Sequence, residues 1–185
     1  MTTLPPDLIR TDRLDLVPLR VADADDMVAV LADPALYAFI GGEPPSRETL
    51  VRRYQAQVAG SADPRETWHN WIIRERASGA ATGFVQATVV EAGADRAGVP
   101  ESPLASAEIA WVIGTRWQGR GYATEAACGL VAWLDGVGTR TIVAHVHPDH
   151  AASAAVAGRA GLEPTDAFVD GERAWSRTRP VDHPD

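Results

Sequence analysis

Six residues, Gln118-Gly119-Arg120-Gly121-Tyr122-Ala123, form a tight glycine-bearing turn between an apolar stretch and a helical pattern, with Thr124 following. Such a turn can bind an anion. The first N–H groups of a helix have no partner inside it, and the helix dipole is positive at that end, so a phosphate fits there. The two glycines let backbone approach a ligand where a Cβ would collide. Other residues with chemical potential surround this turn. Glu108 is a carboxylate in an otherwise apolar run, where burial is unfavourable unless it is paired or protonated. His145-Val146-His147-Pro148-Asp149-His150 is a histidine cluster, and Ser153 follows it with a hydroxyl.

Two common phosphate loops fit poorly. The dinucleotide pattern G-x-G-x-x-G is met by Gly119 and Gly121 but has Thr124 at its third position, and no acidic residue follows at the usual distance. A Walker loop needs a lysine, and all 17 basic residues are arginine. The histidine cluster spells H-x-H-x-D-H, which resembles the zinc signature of metallo-β-lactamase-fold hydrolases. Completing that site takes further ligands on later strands. Only 35 residues follow His150, with His183 as the one later histidine, so the hydrolase reading lacks ligands. A partial metal site on His145 and His147 stands beside a bland alternative, an ordinary histidine cluster at a strand end.

The elements that position these residues follow from periodicity. Ile109, Trp111, Val112 and Ile113 mark a central strand, and Ala126, Ala127, Leu130, Val131 and Leu134 mark the helix after the turn. Upstream, Ile9 to Leu19 reads as a first strand. Asp23 is a candidate cap for a helix to Leu31, and Ser46 for one carrying Leu50, Tyr54 and Val58 to Gly60. Trp68 to Arg74 and Thr82 to Val90 form a hairpin through Ala77-Ser78-Gly79. Ala92 to Ala105 reads as a long loop. Downstream come a strand, Thr141 to Val146, a helix, Ala152 to Ala160, and two antiparallel strands joined at Asp170-Gly171, with 180–185 as a frayed tail. The order is β-α-α-β-β-β-α-β-α-β-β. It predicts one α/β domain over 1–185, a mixed, twisted sheet of about seven strands with helices on both faces, in which only the strands joined by a helix crossover are parallel.

Composition agrees with one domain: 185 residues, 45% hydrophobic. No apolar run is long enough to span a membrane, and the N-terminus has no signal-peptide pattern. Cys128, the single cysteine, lies in an apolar helix and points to a reducing, cytoplasmic setting. The net charge of −8 argues against nucleic acid as a partner. It is compatible with a cationic amine substrate, and equally with an acidic surface kept for solubility.

Gln118-x-x-Gly-x-Ala after a strand bearing Glu108 resembles the acetyl-CoA pyrophosphate loop of the GNAT N-acetyltransferases. The opening IRTDRLDLVPL and the Ser153, Gly161, Leu162 spacing are similar to the RimJ/RimL-like branch. The resemblance implies direct acetyl transfer from acetyl-CoA to a primary amine on a small molecule or a peptide N-terminus, without a metal or a covalent enzyme intermediate. It further implies that the pantetheine arm lies in a split beside the central strand, near a β-bulge, against backbone groups of Trp111, Val112 and Ile113. The amides from Gly119 to Thr124, with Gln118 and Arg120, would hold the diphosphate. Glu108 would be the base, acting through water, or else a structural partner for an arginine such as Arg74. Ser153 would serve the leaving thiolate or cap its helix, and His150 stands where the family carries an asparagine facing pantetheine. The tyrosine acid of many relatives has no counterpart near the last strands. Trp68, Trp71 and Tyr37 are candidates for the acceptor pocket. A catalytically silent coenzyme A-binding module and a homodimer are both compatible with this reading.

Overall fold

The computed structural model describes residues 7–91 and 105–180. The expected loop at 92–105 and tail at 180–185 fall outside these residues except for Ala105 and Pro180. The chain runs β1 (Ile9–Arg10), β2 (Leu14–Pro18), α1 (Ala24–Val30), α2 (Tyr37–Ile40), α3 (Arg47–Ala59), β3 (Glu66–Glu75), β4 (Ala81–Val90), β5 (Ser106–Ile113), α4 (Tyr122–Gly136), β6 (Thr141–Val146), α5 (Ala151–Arg159), β7 (Glu163–Val169) and β8 (Glu172–Thr178). The strands make one sheet in the order β1-β2-β3-β4-β5-β6-β8-β7. All neighbours are antiparallel except β5 and β6, the pair joined through α4.

The strand count is eight because the expected first strand folds on itself. Ile9 pairs with Leu16 and Arg10 with Asp15, around a turn in which Thr11 N–H donates to the Leu14 carbonyl at 2.9 Å. The last hairpin turns at Asp170 (φ 50°) and Gly171 (φ 85°), the left-handed pair that matches the twist of antiparallel strands.

Two cores sandwich the sheet. Leu130, Leu134, Ala126 and Ala127 of α4 pack with Leu14, Trp71, Ile109 and Ile142 on one face. On the other, Met27 and Val30 of α1 and Leu50 and Tyr54 of α3 cover Ile72, with Phe84 and Val112 packed alongside. The alternation of β5 assigns its residues accordingly. Ala107, Ile109, Trp111 and Ile113 face α4, whereas Val112, and with it Ala110 and Glu108, face α1 and α3.

The caps are partly as expected. Ser46 Oγ accepts from Thr49 N–H at 3.1 Å, and Gly60 (φ 86°) ends α3. Asp23 does not cap α1. Its carboxylate accepts from Arg20 N–H at 2.8 Å and from Arg74 at 2.8 Å, because a short 3-10 turn at Val21–Asp23 precedes the helix. Val58, expected on the buried stripe of α3, is exposed, since the stripe ends with Tyr54.

Leu130 is fully buried where α4 meets the sheet. Leu130→Ala is expected to lower unfolding free energy by about 2–5 kcal/mol, measured by urea denaturation, with the midpoint shifted and the slope unchanged.

Candidate active site

The site begins where β5 and β6 separate. They share three rungs, Ser106–Thr141, Ala107–Ile142 and Glu108–Val143. β5 continues to Ile113 beside β4, and β6 continues to Val146 beside β8, so a wedge opens after Glu108. Gly114 N–H donates to the Thr82 carbonyl at 2.8 Å. By the alternation of an antiparallel ladder, Val112 then gives its backbone groups to β4, while those of Trp111 and Ile113 turn into the wedge. The β4–β5 ladder is regular from Gly83–Ile113 to Val90–Ser106, so no bulge lies in it. The register shift expected beside the split occurs instead between Ile73 and Arg74, in the β3–β4 pair.

The turn Gln118–Gly121 closes the end of the wedge. Gln118 Nε2 donates to the Ile113 carbonyl at 3.0 Å, which fastens the loop to the strand end. Gly119 (φ 74°) and Gly121 (φ 79°) are left-handed, a conformation that side-chain-bearing residues rarely adopt. A Cβ at Gly119 would meet nothing within 4 Å, and one at Gly121 only the end of Arg13 at 3.5 Å. The space above both is therefore open to a ligand. Gly121 opens α4 without a side-chain cap, and the first helical bond is Glu125 N–H to the Gly121 carbonyl at 3.0 Å. The N–H groups of Tyr122, Ala123 and Thr124 precede that bond and aim outward at the positive end of a 15-residue helix. This is the donor set that a diphosphate requires, so the residues fit coenzyme A.

Two braces hold the loop, and neither had a signature in the sequence. Glu125, in the first turn of α4, accepts from Thr11 Oγ1 at 2.6 Å, Arg13 N–H at 2.7 Å and Arg13 Nε at 2.7 Å. Burial raises the Glu125 pKa, but these donors outweigh it and hold the carboxyl below its ordinary value. Arg13 also lies over the Tyr122 ring, 4.9 Å from its centroid, and donates to the Arg120 carbonyl at 3.0 Å. Glu75 is the second brace: it accepts from the Tyr122 hydroxyl and sits 3.9 Å from Arg120.

On the far side of the wedge, Glu108 Oε1 lies 3.0 Å from His145 Nδ1. Arg74 is engaged elsewhere, by Asp23 and by Asp26 at 2.9 Å, so it is not the partner of Glu108. Ser153 does not cap α5. The cap is His150, whose Nδ1 accepts from Ser153 N–H at 3.5 Å, and Ser153 Oγ makes no hydrogen bond to a described residue. The His150 ring stacks on Phe39 of α2 at 4.3 Å, and His147 tilts against the same ring at 5.4 Å. His147 and His150 thus share Phe39, whereas His145 is paired with Glu108. Among the described residues, no group of three or more His, Cys, Asp or Glu could hold a metal ion.

The aromatic candidates for an acceptor pocket are dispersed. Trp71 is fully buried on the α4 face and donates to the Asp7 carbonyl at 3.0 Å. Trp68 is exposed at the sheet surface, and the Tyr37 hydroxyl donates to the Leu31 carbonyl at 3.0 Å.

A sheet parted beside a helix whose first amides are open is the arrangement that the sequence resemblance implied. Residues 13–163 match the family described as acetyltransferase (GNAT) domain. The chain belongs to the GNAT acetyltransferase family.

Solved structures agree in fold. An acetyltransferase from Agrobacterium tumefaciens str. C58 superposes with a TM-score of 0.68 at 26% identity, covering 97% of this chain and 98% of that one. One from Thermus thermophilus gives 0.67 at 25%, covering 94% and 100%. RimL, a ribosomal-protein alpha-N-acetyltransferase solved in complex with coenzyme A, gives 0.73 at 16%, covering 93% and 98%. No curated protein matches the sequence significantly.

Burial, then the neighbouring His147, lowers the His150 pKa, and burial lowers that of His69. Both groups bind protons more readily in the unfolded chain, so stability is expected to fall as pH drops below the ordinary histidine value of about 6.5. His150→Asn keeps a cap acceptor and removes one of these groups. The loss of thermal midpoint between about pH 8 and about pH 5 should therefore be smaller than in the unmodified protein; an unchanged loss would exclude His150 as a contributor.

Proposed function

We propose that this GNAT domain transfers the acetyl group of acetyl-CoA directly to a primary amine, with both substrates bound together. The observation that carries the proposal is the wedge after Glu108, open beside the free N-terminal amides of α4. The diphosphate lies on the N–H groups from Gly119 to Thr124, with Arg120 adding positive charge and Gln118 holding the loop to Ile113. The pantetheine arm runs into the wedge along the backbone of Trp111 and Ile113, in the manner of an added strand. Their N–H groups polarise the thioester carbonyl. Val112 contributes from its side chain, on the face shared with Glu108. Tyr122 and Ala123 fix the helix start.

The nitrogen lone pair attacks the thioester carbon, the C–N bond forms as the C–S bond breaks, and the sulfur leaves as a thiolate. An alkylamine is mostly protonated at neutral pH, so a base must first remove a proton. Glu108 takes that proton through water, and His145, 3.0 Å away, keeps the carboxylate oriented. Ser153, its hydroxyl uncommitted among the described residues, relays to the sulfur the second proton, which the nitrogen sheds as the amide forms, and so regains its own. His150 occupies the place of the family asparagine beside the arm, and Phe39 holds its ring in position. The acceptor is a small-molecule amine or a peptide N-terminus. No described helix is long and apolar enough to cross a membrane, and a cytoplasmic location suits the single cysteine.

Titration with acetyl-CoA and turnover over an amine panel, followed by thiol release, test this reading. Binding without turnover would identify a silent coenzyme A module. Glu108→Gln is expected to reduce kcat by about 10²–10⁴-fold and to remove the acid limb of the pH–rate profile, with acetyl-CoA affinity unchanged. A profile identical to that of the unmodified enzyme would exclude Glu108 as the base. Gly121→Trp is expected to weaken acetyl-CoA binding by at least about tenfold in calorimetry; normal binding by the folded variant would displace the ligand from this loop.

A further inference from the structure

A cavity of about 250 Å³ lies on the face of the sheet that carries α1 and α3. Tyr54, Arg53 and Gln57 of α3 line one side of it, and Asn70, Phe84 and Gln86 of β3 and β4 another. The volume sits just under the range of about 300–1,000 Å³ usual for drug-sized ligands, which suits a small metabolite.

Three features give the cavity a chemical character. Tyr54 is only 4% exposed, yet its hydroxyl has no hydrogen-bond partner among the described residues. A buried hydroxyl in that state is unfavourable, so a ligand group that pairs with it is favoured. Arg53 is the only charged side chain among the described residues lining the cavity; it has no ion pair or hydrogen bond with a described residue, and its charge acts on the Tyr37 and Tyr54 hydroxyls. Its neighbours are engaged: Arg47 with Asp25 at 2.5 Å, Arg52 with Glu48 at 3.4 Å, Arg74 with Asp23 and Asp26. The remaining polar groups, Gln57, Asn70 and Gln86, are neutral amides that can donate or accept.

The cavity is also next to the proposed base. Glu108 stands opposite Thr88 in the β4–β5 ladder, and Gln86 stands opposite Ala110. Glu108 and Gln86 are therefore diagonal neighbours on one face, about 7–8 Å apart between Cα atoms. Glu108 puts a carboxylate on this face of the sheet, and Arg53 of α3 puts a guanidinium, without an ion pair among the described residues, on the cavity beside it. An acceptor with an ammonium group at one end and a carboxylate at the other matches both, because a guanidinium binds a carboxylate through paired charge-assisted hydrogen bonds. A polyamine would instead bring a second positive charge against Arg53.

Building on the acetyl-transfer reading, we propose that the acceptor is a small amino carboxylate, its carboxylate held by Arg53 with hydrogen bonds from Tyr54 and the neighbouring amides, and its product the N-acetyl amino carboxylate.

The test compares acceptors with and without the carboxylate: L-alanine against ethylamine, L-phenylalanine against phenethylamine, 4-aminobutyrate against propylamine. Spermidine and a short peptide with a free N-terminus complete the panel. At least one carboxylate-bearing member is expected to exceed its partner in kcat/KM by roughly tenfold or more. Arg53→Gln, at an exposed position, should abolish that preference through KM with kcat little changed and coenzyme A affinity intact. Tyr54→Phe should raise KM for the same acceptor. Equal or better turnover of the decarboxylated amines, of spermidine or of the peptide would overturn the proposal while leaving acetyl transfer standing, as would a preference that survives Arg53→Gln. If nothing is acetylated, acetyl transfer is in question, and calorimetry on the coenzyme A complex still decides this site. Tighter binding of at least one amino carboxylate of the panel than of its partner amine supports it, and equal or absent binding throughout overturns it.

Discussion

Three rungs of parallel pairing hold β5 to β6, and the proposed cofactor cleft depends on the ladder stopping there. Had the ladder continued, the backbone groups of Trp111 and Ile113 would be spent on β6 and no edge would exist inside the sheet. β6 can leave because β8 satisfies its other side along its whole length, from Thr141–Thr178 to Val146–Arg173. The insertion of β8 between β6 and β7 is thus what allows a sheet to open in its middle without leaving β6 unpaired. An interior edge of this kind binds an extended ligand through main-chain groups.

The wedge would be of little use unless its end were rigid. Gln118 ties the turn to the last carbonyl of β5, and the two left-handed glycines set the direction in which α4 starts. Helix N-termini bind anions only if their amides are fixed in direction, and here the fixing comes from outside the helix. Glu125 is clamped by Thr11 and Arg13, and Tyr122 by Glu75. Charge is also arranged in order. Acidic Glu75 and Glu125 face Arg120 and Arg13, while the amides face the open side.

Local features of this architecture were readable from the residues. The glycine turn, the Ser46 cap, the Asp170-Gly171 hairpin and the helical stripe of α4 each rest on short-range rules of backbone conformation and periodicity. Features made by distant pairs were not. The break of the first strand at Thr11-Asp12-Arg13 follows from pairing of Ile9 with Leu16, which alternation alone does not reveal. The pairing of Glu108 with His145 rather than Arg74 depends on the register of two strands separated by a whole helix. The capping role fell to His150 rather than Ser153 because α5 begins at Ala151, three residues before a helix capped by Ser153 would begin. Tyr54 was legible only as part of the apolar stripe of α3, and Arg53 not at all, since nothing in sequence marks a tyrosine whose hydroxyl lies beside a cavity.

The clamp on Glu125 joins residues 112 positions apart in the chain. During synthesis, Thr11 and Arg13 emerge long before α4 exists, and α4 emerges before β6 and β8 can complete the sheet. A nascent chain therefore carries its glycine turn early but cannot rigidify it until the N-terminal hairpin has docked, a long-range closure of the slow kind. The fixed amides that the proposed cofactor site needs therefore arrive only once these long-range contacts have formed.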